Sequence, residues 1–121
     1  AMVVDRARAL AAAPYAPPPA VAPDWLDMTY DVYRKIWFDT RHALFRGTGG
    51  AVQAEFFVAG LYFPYKIGIN AVQGGEARPV LFSLRDFDAT DRFPDLPADG
   101  TGFSGFRLLG ELEADDRFQE Y

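Results

Sequence analysis

A chain of 121 residues and 13.5 kDa is long enough for one domain, too short for two ordinary ones, and able to bury about two thirds of its unfolded surface. Half of its residues are hydrophobic, 16% are aromatic and 24% are charged, which excludes a disordered tail and a coiled coil. A net charge of -5 and a pI near 4.7 exclude a general nucleic-acid binder, whose affinity rests on a basic footprint against phosphates.

The first predicted element is a helix over Val3–Ala13, VVDRARALAAA, with Val3, Ala7 and Leu10 on one face. Pro14 ends it, because proline has no N–H for the ladder and biases Ala13 away from the helical region. The following PYAPPPAVAP, 14–23, reads as an extended polyproline arm, a semi-rigid connector in preference to a ligand for a proline-binding module. Asp24 to Tyr33 reads as a second short helical or turn segment in which Tyr30 and Tyr33 pack.

After Tyr33 the hydrophobic period changes to two. RKIWFD predicts a strand with Arg34, Ile36 and Phe38 on one face and Lys35 and Trp37 on the other. VQAEFFVAG predicts a half-buried strand with Val52, Ala54, Phe56 and Val58 inward and Gln53, Glu55 and Phe57 on the less apolar face. YKIGIN repeats the alternation with Tyr65, Ile67 and Ile69, and Gly74-Gly75 is a hairpin turn signal leading into a returning strand over Ala77–Leu84. Pro79 weakens that strand or places it at an edge. A polar loop over Arg85–Gly102 precedes the last strand candidate, GFRLLGEL at Gly105–Leu112. The expectation is a mostly β, antiparallel architecture in which residues 1–33 form a helical, Pro-rich arm and residues 34–121 the β-rich part. The end EADDRFQEY, with Phe118 and Tyr121 and no polar tail, reads as an edge cut inside a larger sheet protein.

The residue inventory narrows the chemistry. Without cysteine there is no disulfide, thiolate nucleophile, zinc finger or iron-sulfur cluster, and one histidine, His42, rules out multi-histidine metal sites. No cofactor or transition metal is indicated, and no apolar run approaches the roughly 18 residues of a membrane span. Asp5, Arg6 and Arg8 interrupt what a secretory signal would need as its apolar segment. Glu55 is the carboxylate of most interest for glycosidase-like chemistry, but its strand position favours a solvated charge. Asp86, Asp88, Asp91, Asp95 and Asp99 offer oxygen ligands for calcium and fail the EF-hand pattern, because Asp91 stands at the glycine position and Pro97 at the closing glutamate. A solvated acidic loop is the preferred reading. His42, in TRHALFRG, reads as a turn residue, and GTGG at Gly47–Gly50 reads as a hairpin loop, since it lacks the lysine and helix of a phosphate loop. Trp37 and Phe57, placed on polar strand faces, have the flat apolar surface that pyranose rings stack on, although aromatic residues in sheets more often serve packing. The candidate saccharide contacts are Trp37 as platform and Arg46 and Gln53 as hydroxyl partners, with no catalytic or metal-binding residue expected.

Taken in order, DMTYDVYRKIWF, ALFRG, QAEFFVAGLYF, KIGINAV, ARPVLFS and LPADGTGFSGFRLLGEL resemble the opening part of the periplasmic glucan biosynthesis protein G and D family, the MdoG/OpgG type. The resemblance implies a large β-sandwich related to galactose mutarotase folds, of which this chain would be an incomplete portion. It implies a periplasmic protein, after signal removal, acting on β-1,2-linked osmoregulated glucans. Family members of the D type look like β-1,2-glucan hydrolases whose acids lie in later sequence, so this chain alone is not expected to be catalytic. The expected role is scaffold with saccharide contacts. The competing expectation is a noncatalytic β-rich module that pairs through exposed strand edges, with another copy or with the remainder of a parent domain.

Overall fold

The computed structural model describes residues 2–87, 96–111 and 118–120. Helix α1 spans Met2–Ala12, one residue earlier at each end than its sequence pattern predicts, and none of its residues is buried. The arm that follows is exposed as far as Ala20. Among the described residues it docks at its far end, where Lys66 N–H donates to Pro19 O at 2.8 Å, Val21 N–H to Pro64 O at 2.9 Å and Ala22 N–H to Gly100 O at 2.7 Å. The Asp24–Tyr33 segment resolves into two single turns. Helix α2, Pro23–Leu26, starts on its proline, whose missing N–H costs nothing at that position. Helix α3, Tyr30–Tyr33, is capped by the Thr29 hydroxyl, which accepts from Val32 N–H at 3.3 Å.

Strand β1 is Val52–Val58, β2 Asn70–Gln73, β3 Glu76–Pro79, β4 Phe103–Glu111 and β5 Phe118–Glu120. They form an antiparallel three-stranded sheet in the order β1-β4-β5 and an antiparallel hairpin of β2 and β3. The hairpin turns on Gly74 and Gly75 at φ 58° and 77°, the left-handed pair that a two-residue turn needs if its twist is to match the strands. Strand β3 ends at Pro79, which has no N–H to donate, and the predicted continuation to Leu84 instead enters a 3-10 turn over Leu84–Asp86.

Two further predicted strands are corrected. RKIWFD is not a strand: among the described residues its one ladder contact is an isolated bridge between Phe38 and Phe87. YKIGIN makes single bridges at Tyr65 and Ile67 and no ladder until Asn70. Alternation survives without pairing in the first case, since Ile36 and Phe38 are buried and Trp37 is exposed. A period of two reports an extended backbone over a core, and a neighbour must still be present to complete a sheet. The last predicted strand begins two residues earlier than expected, at Phe103, and is followed by β5. Leu112, Asp88, Asp91 and Asp95 lie outside the described residues.

The core is built from phenylalanine. Phe38 packs on Phe56, Phe56 on Phe103, Phe103 on Phe82, Phe82 on Phe87 and Phe87 back on Phe38, with ring centroids 4.8 to 5.8 Å apart. This closed circuit ties the sheet, through β1 and β4, to the loop segments on either side of it, and each contact adds about 0.5–1.5 kcal/mol to simple burial. Beside it stands Trp25, 0% exposed, whose indole N–H donates to Pro97 O at 2.9 Å. Two glycines leave it room: a Cβ on Gly60 would lie 2.9 Å from the Trp25 carbonyl oxygen, and one on Gly100 would lie 3.0 Å from the indole.

Candidate functional site

Strand β1 sets the geometry. Of the four residues expected inward, Ala54, Phe56 and Val58 are buried and Val52, at the start of the strand, is 43% exposed. The other face is not the solvated one that the sequence suggests: Gln53 is 7% exposed and Glu55 1% exposed. Glu55 stands directly opposite Arg107 of β4, and the guanidinium donates to Glu55 Oε1 through Nε at 2.9 Å and through Nη2 at 2.7 Å. The sequence reading of Glu55 as a solvated charge is therefore corrected, because a cross-strand arginine compensates the carboxylate where it is buried. Its second oxygen, Oε2, is buried without a hydrogen-bond partner.

The three candidate saccharide contacts are placed differently. Trp37 is 62% exposed. Arg46 is exposed, and its Nη1 folds back to donate to Thr40 O at 3.2 Å, holding the guanidinium against the 3-10 turn Thr40–His42. Gln53 is buried on the Glu55 face and does not present its amide at the surface. His42 is an exposed turn residue, with Nδ1 3.4 Å from Asp86 Oδ1. The GTGG segment is an exposed loop with Gly47 and Gly49 at φ 77° and 79°. Among the described residues no group of three or more His, Asp or Glu side chains is arranged to hold a metal ion.

The turn carrying His42 begins at Asp39, whose carboxylate accepts from Arg41 Nη2 at 2.6 Å, from Arg41 Nε at 3.0 and 3.1 Å, and from the Arg41 backbone N–H at 3.0 Å. The Arg41 side chain, then its backbone N–H, holds the Asp39 carboxyl down to about 2 from an ordinary 3.8. Folding lowers this pKa, so the contribution to stability is present above about pH 4 and is lost as pH falls toward 2. A carbon-detected NMR titration is expected to place the Asp39 midpoint near 2, and Arg41→Ala to return it to the usual carboxylate range. A midpoint near 4 in the unmodified chain would refute this account of the turn.

A second constellation escaped the sequence reading. Tyr33, Phe57, Phe63 and Ser104 line a pocket of about 390 Å³. Phe57 and Phe63 are 42% and 49% exposed, and the Tyr33 and Phe63 rings lie 6.1 Å apart at 30°. The Tyr33 hydroxyl donates to Val58 O at 2.7 Å and Ser104 Oγ to the same carbonyl at 3.2 Å. Burial pushes the Tyr33 phenol up, against a lowering by the Ser104 hydroxyl, so it keeps its proton at neutral pH. Arg107 lies over the Phe57 ring, its guanidinium carbon 5.7 Å from the centroid. Of these residues only Phe57 was visible in the sequence as an aromatic on the outer strand face. Phe63 and Ser104 fall outside any alternating pattern.

No helix among the described residues is long and apolar enough to cross a membrane. A family model described as "Periplasmic glucan biosynthesis protein, MdoG" matches residues 1–121. The chain is 38% identical over 109 residues to glucans biosynthesis protein D 2 of Ralstonia nicotianae, covering 88% of this chain and 20% of that protein. It is 36% identical over 120 residues to glucans biosynthesis protein G of Rhodopseudomonas palustris, covering 98% of this chain and 24% of that protein. Glucans biosynthesis protein D of Stenotrophomonas maltophilia is 34% identical over 125 residues, covering 100% of this chain and 23% of that protein. The chain thus spans 20–24% of the length of these relatives. With all 121 residues matched, the chain belongs to the MdoG family of periplasmic glucan biosynthesis proteins.

Proposed function

We propose that this chain is the part of a periplasmic glucan biosynthesis or processing protein that supplies sheet scaffold and contacts to β-1,2-glucan. The observation that carries this reading is the family match over residues 1–121. In it, residues 1–33 are the arm and residues 34–121 belong to a larger antiparallel β-sandwich of the galactose mutarotase type. The exposed apolar residues Phe106, Leu108 and Val72, which line one groove, support the scaffold role, since adjoining apolar surface fits packing against further protein. Trp37 serves as a stacking platform and Arg46 as a hydroxyl partner, while Gln53, being buried, is not a surface contact. No residue of the chain has a catalytic role in this reading, and none holds a cofactor.

A second reading, a noncatalytic module pairing through a strand edge, draws on one feature. Strand β1 lies at the edge of its sheet, and among the described residues its outer side is paired only by the Leu44 to Ala54 bridge. Calorimetric titration with linear β-1,2-glucooligosaccharides, after light scattering has defined the species, separates the two. Saturable heat that Trp37→Ala weakens by about tenfold, with folding retained, is the expected result. An edge-paired oligomer that gives no heat would instead support the second reading.

A further inference from the structure

We propose that the pocket formed by Tyr33, Phe57, Phe63 and Ser104 is a saccharide subsite that takes a single hexopyranose ring. It stacks the ring on phenylalanine and accepts its hydroxyl hydrogens. The proposal deepens the reading above and rests on it, and it concerns residues other than Trp37 and Arg46, neither of which lines the pocket. The pocket's volume of about 390 Å³ lies within the range of roughly 300–1,000 Å³ that small-ligand sites occupy.

The walls and the polar end select the ligand by different means. Phe57 and Phe63 are large, flat and partly exposed, which suits the C–H face of a pyranose. Arg107 lies over the Phe57 ring, so a ligand stacks on the exposed part of that ring and on Phe63. At the polar end, the register shifts between Phe57 and Val58, and the Val58 carbonyl receives two side-chain donors. The Tyr33 proton is committed to that carbonyl, and the Ser104 hydroxyl donates to it as well. The Tyr33 and Ser104 hydroxyls also meet each other, so both protons are engaged within this cluster while the phenol and serine oxygens retain lone pairs. The pocket therefore offers acceptors between aromatic walls. A carboxylate or phosphate brings only further acceptors, and a hydrocarbon would leave those lone pairs unsatisfied. A polyhydroxylated ring brings both donors and an apolar face.

The test is titration of the chain and its Phe57→Ala and Phe63→Ala variants with linear β-1,2-glucooligosaccharides, together with amide chemical-shift mapping of the unmodified chain. Each variant is expected to raise Kd roughly tenfold, and the shifts are expected to centre on Phe57, Val58, Phe63 and Ser104. If a variant fails to fold, the shift map on the unmodified chain decides. Binding that both variants leave unchanged, or shifts confined to residues 37–46, overturns the subsite and leaves the glucan-contact reading standing. Absence of any binding by the unmodified chain overturns both.

Discussion

Replacing Trp25 with alanine is expected to cost about 3–5 kcal/mol of folding stability, a large share of the 5–15 kcal/mol typical of a domain. The indole is fully buried and joins segments far apart in the chain: α2, the 3-10 turn at Ala98–Gly100 and the Gly60-Leu61 corner, where Leu61 N–H donates to Trp25 O at 2.9 Å. Loss of the bond from the indole N–H to Pro97 O accounts for little of the cost, because Pro97 is exposed and water can replace the donor. Most of it is the cavity. Gly60 and Gly100 approach the tryptophan so closely that a Cβ on either would fall within about 3 Å of it. They have no side chains with which to fill the space once it is gone. Trp25→Phe, which keeps a ring there, is expected to lose on the order of 1–2 kcal/mol. Urea denaturation should show a lower midpoint with an unchanged slope in both variants. An alanine variant within about 1 kcal/mol of the unmodified chain would show that the Trp25 site can collapse, and would remove it as the anchor of the arm.

The same residue illustrates what the sequence could and could not disclose. Trp25 follows a Pro-rich arm, and nothing local tells a tryptophan that ends a linker from one that plugs a core. The partners that bury it, Gly60 and Gly100, are 35 and 75 residues away. Strand β1 and the Gly74-Gly75 hairpin were legible because alternation and left-handed turn residues are local signals. RKIWFD carried equally good alternation and formed no ladder, since pairing depends on a neighbour that the pattern does not contain. For the candidate site the limit is similar. Trp37 and Phe57 are exposed, as their places in the alternating pattern suggested, whereas Gln53 and Glu55 share a face with Phe57 and are buried. The partner of Glu55 on that face comes from β4, which pairs with β1 across some 50 residues. The one signal available for Glu55 was an arginine, Arg107, at an alternating position in another predicted strand. Using it required the register.

That register gives the second large expected effect. Arg107→Ala leaves the Glu55 carboxylate in place with Oε1 stripped of both N–H donors and Oε2 already unpartnered. Breaking a buried pair from one side typically costs 3–5 kcal/mol. The Arg107 side chain is 31% exposed, so water can follow the vacated guanidinium, and a loss of about 3 kcal/mol is expected. Arg107→Lys is expected to fall between the two, because one ammonium cannot reproduce two N–H groups converging on a single oxygen. The informative variant removes both charges. Glu55→Met combined with Arg107→Leu exchanges an ion pair that carries a large desolvation cost for apolar contacts beside Phe57 and Leu109. Such exchanges are often neutral or stabilising by about 1–4 kcal/mol. Chemical denaturation of the two single variants and the double variant closes the cycle. A double variant at least as stable as the unmodified chain would mean that the pair does not earn its place through stability. Its remaining role is then to fix pairing: a slip of one residue would set Glu55 against Phe106 or Leu108 and strand a buried charge. A double variant as unstable as Arg107→Ala would instead make the ion pair a net source of stability.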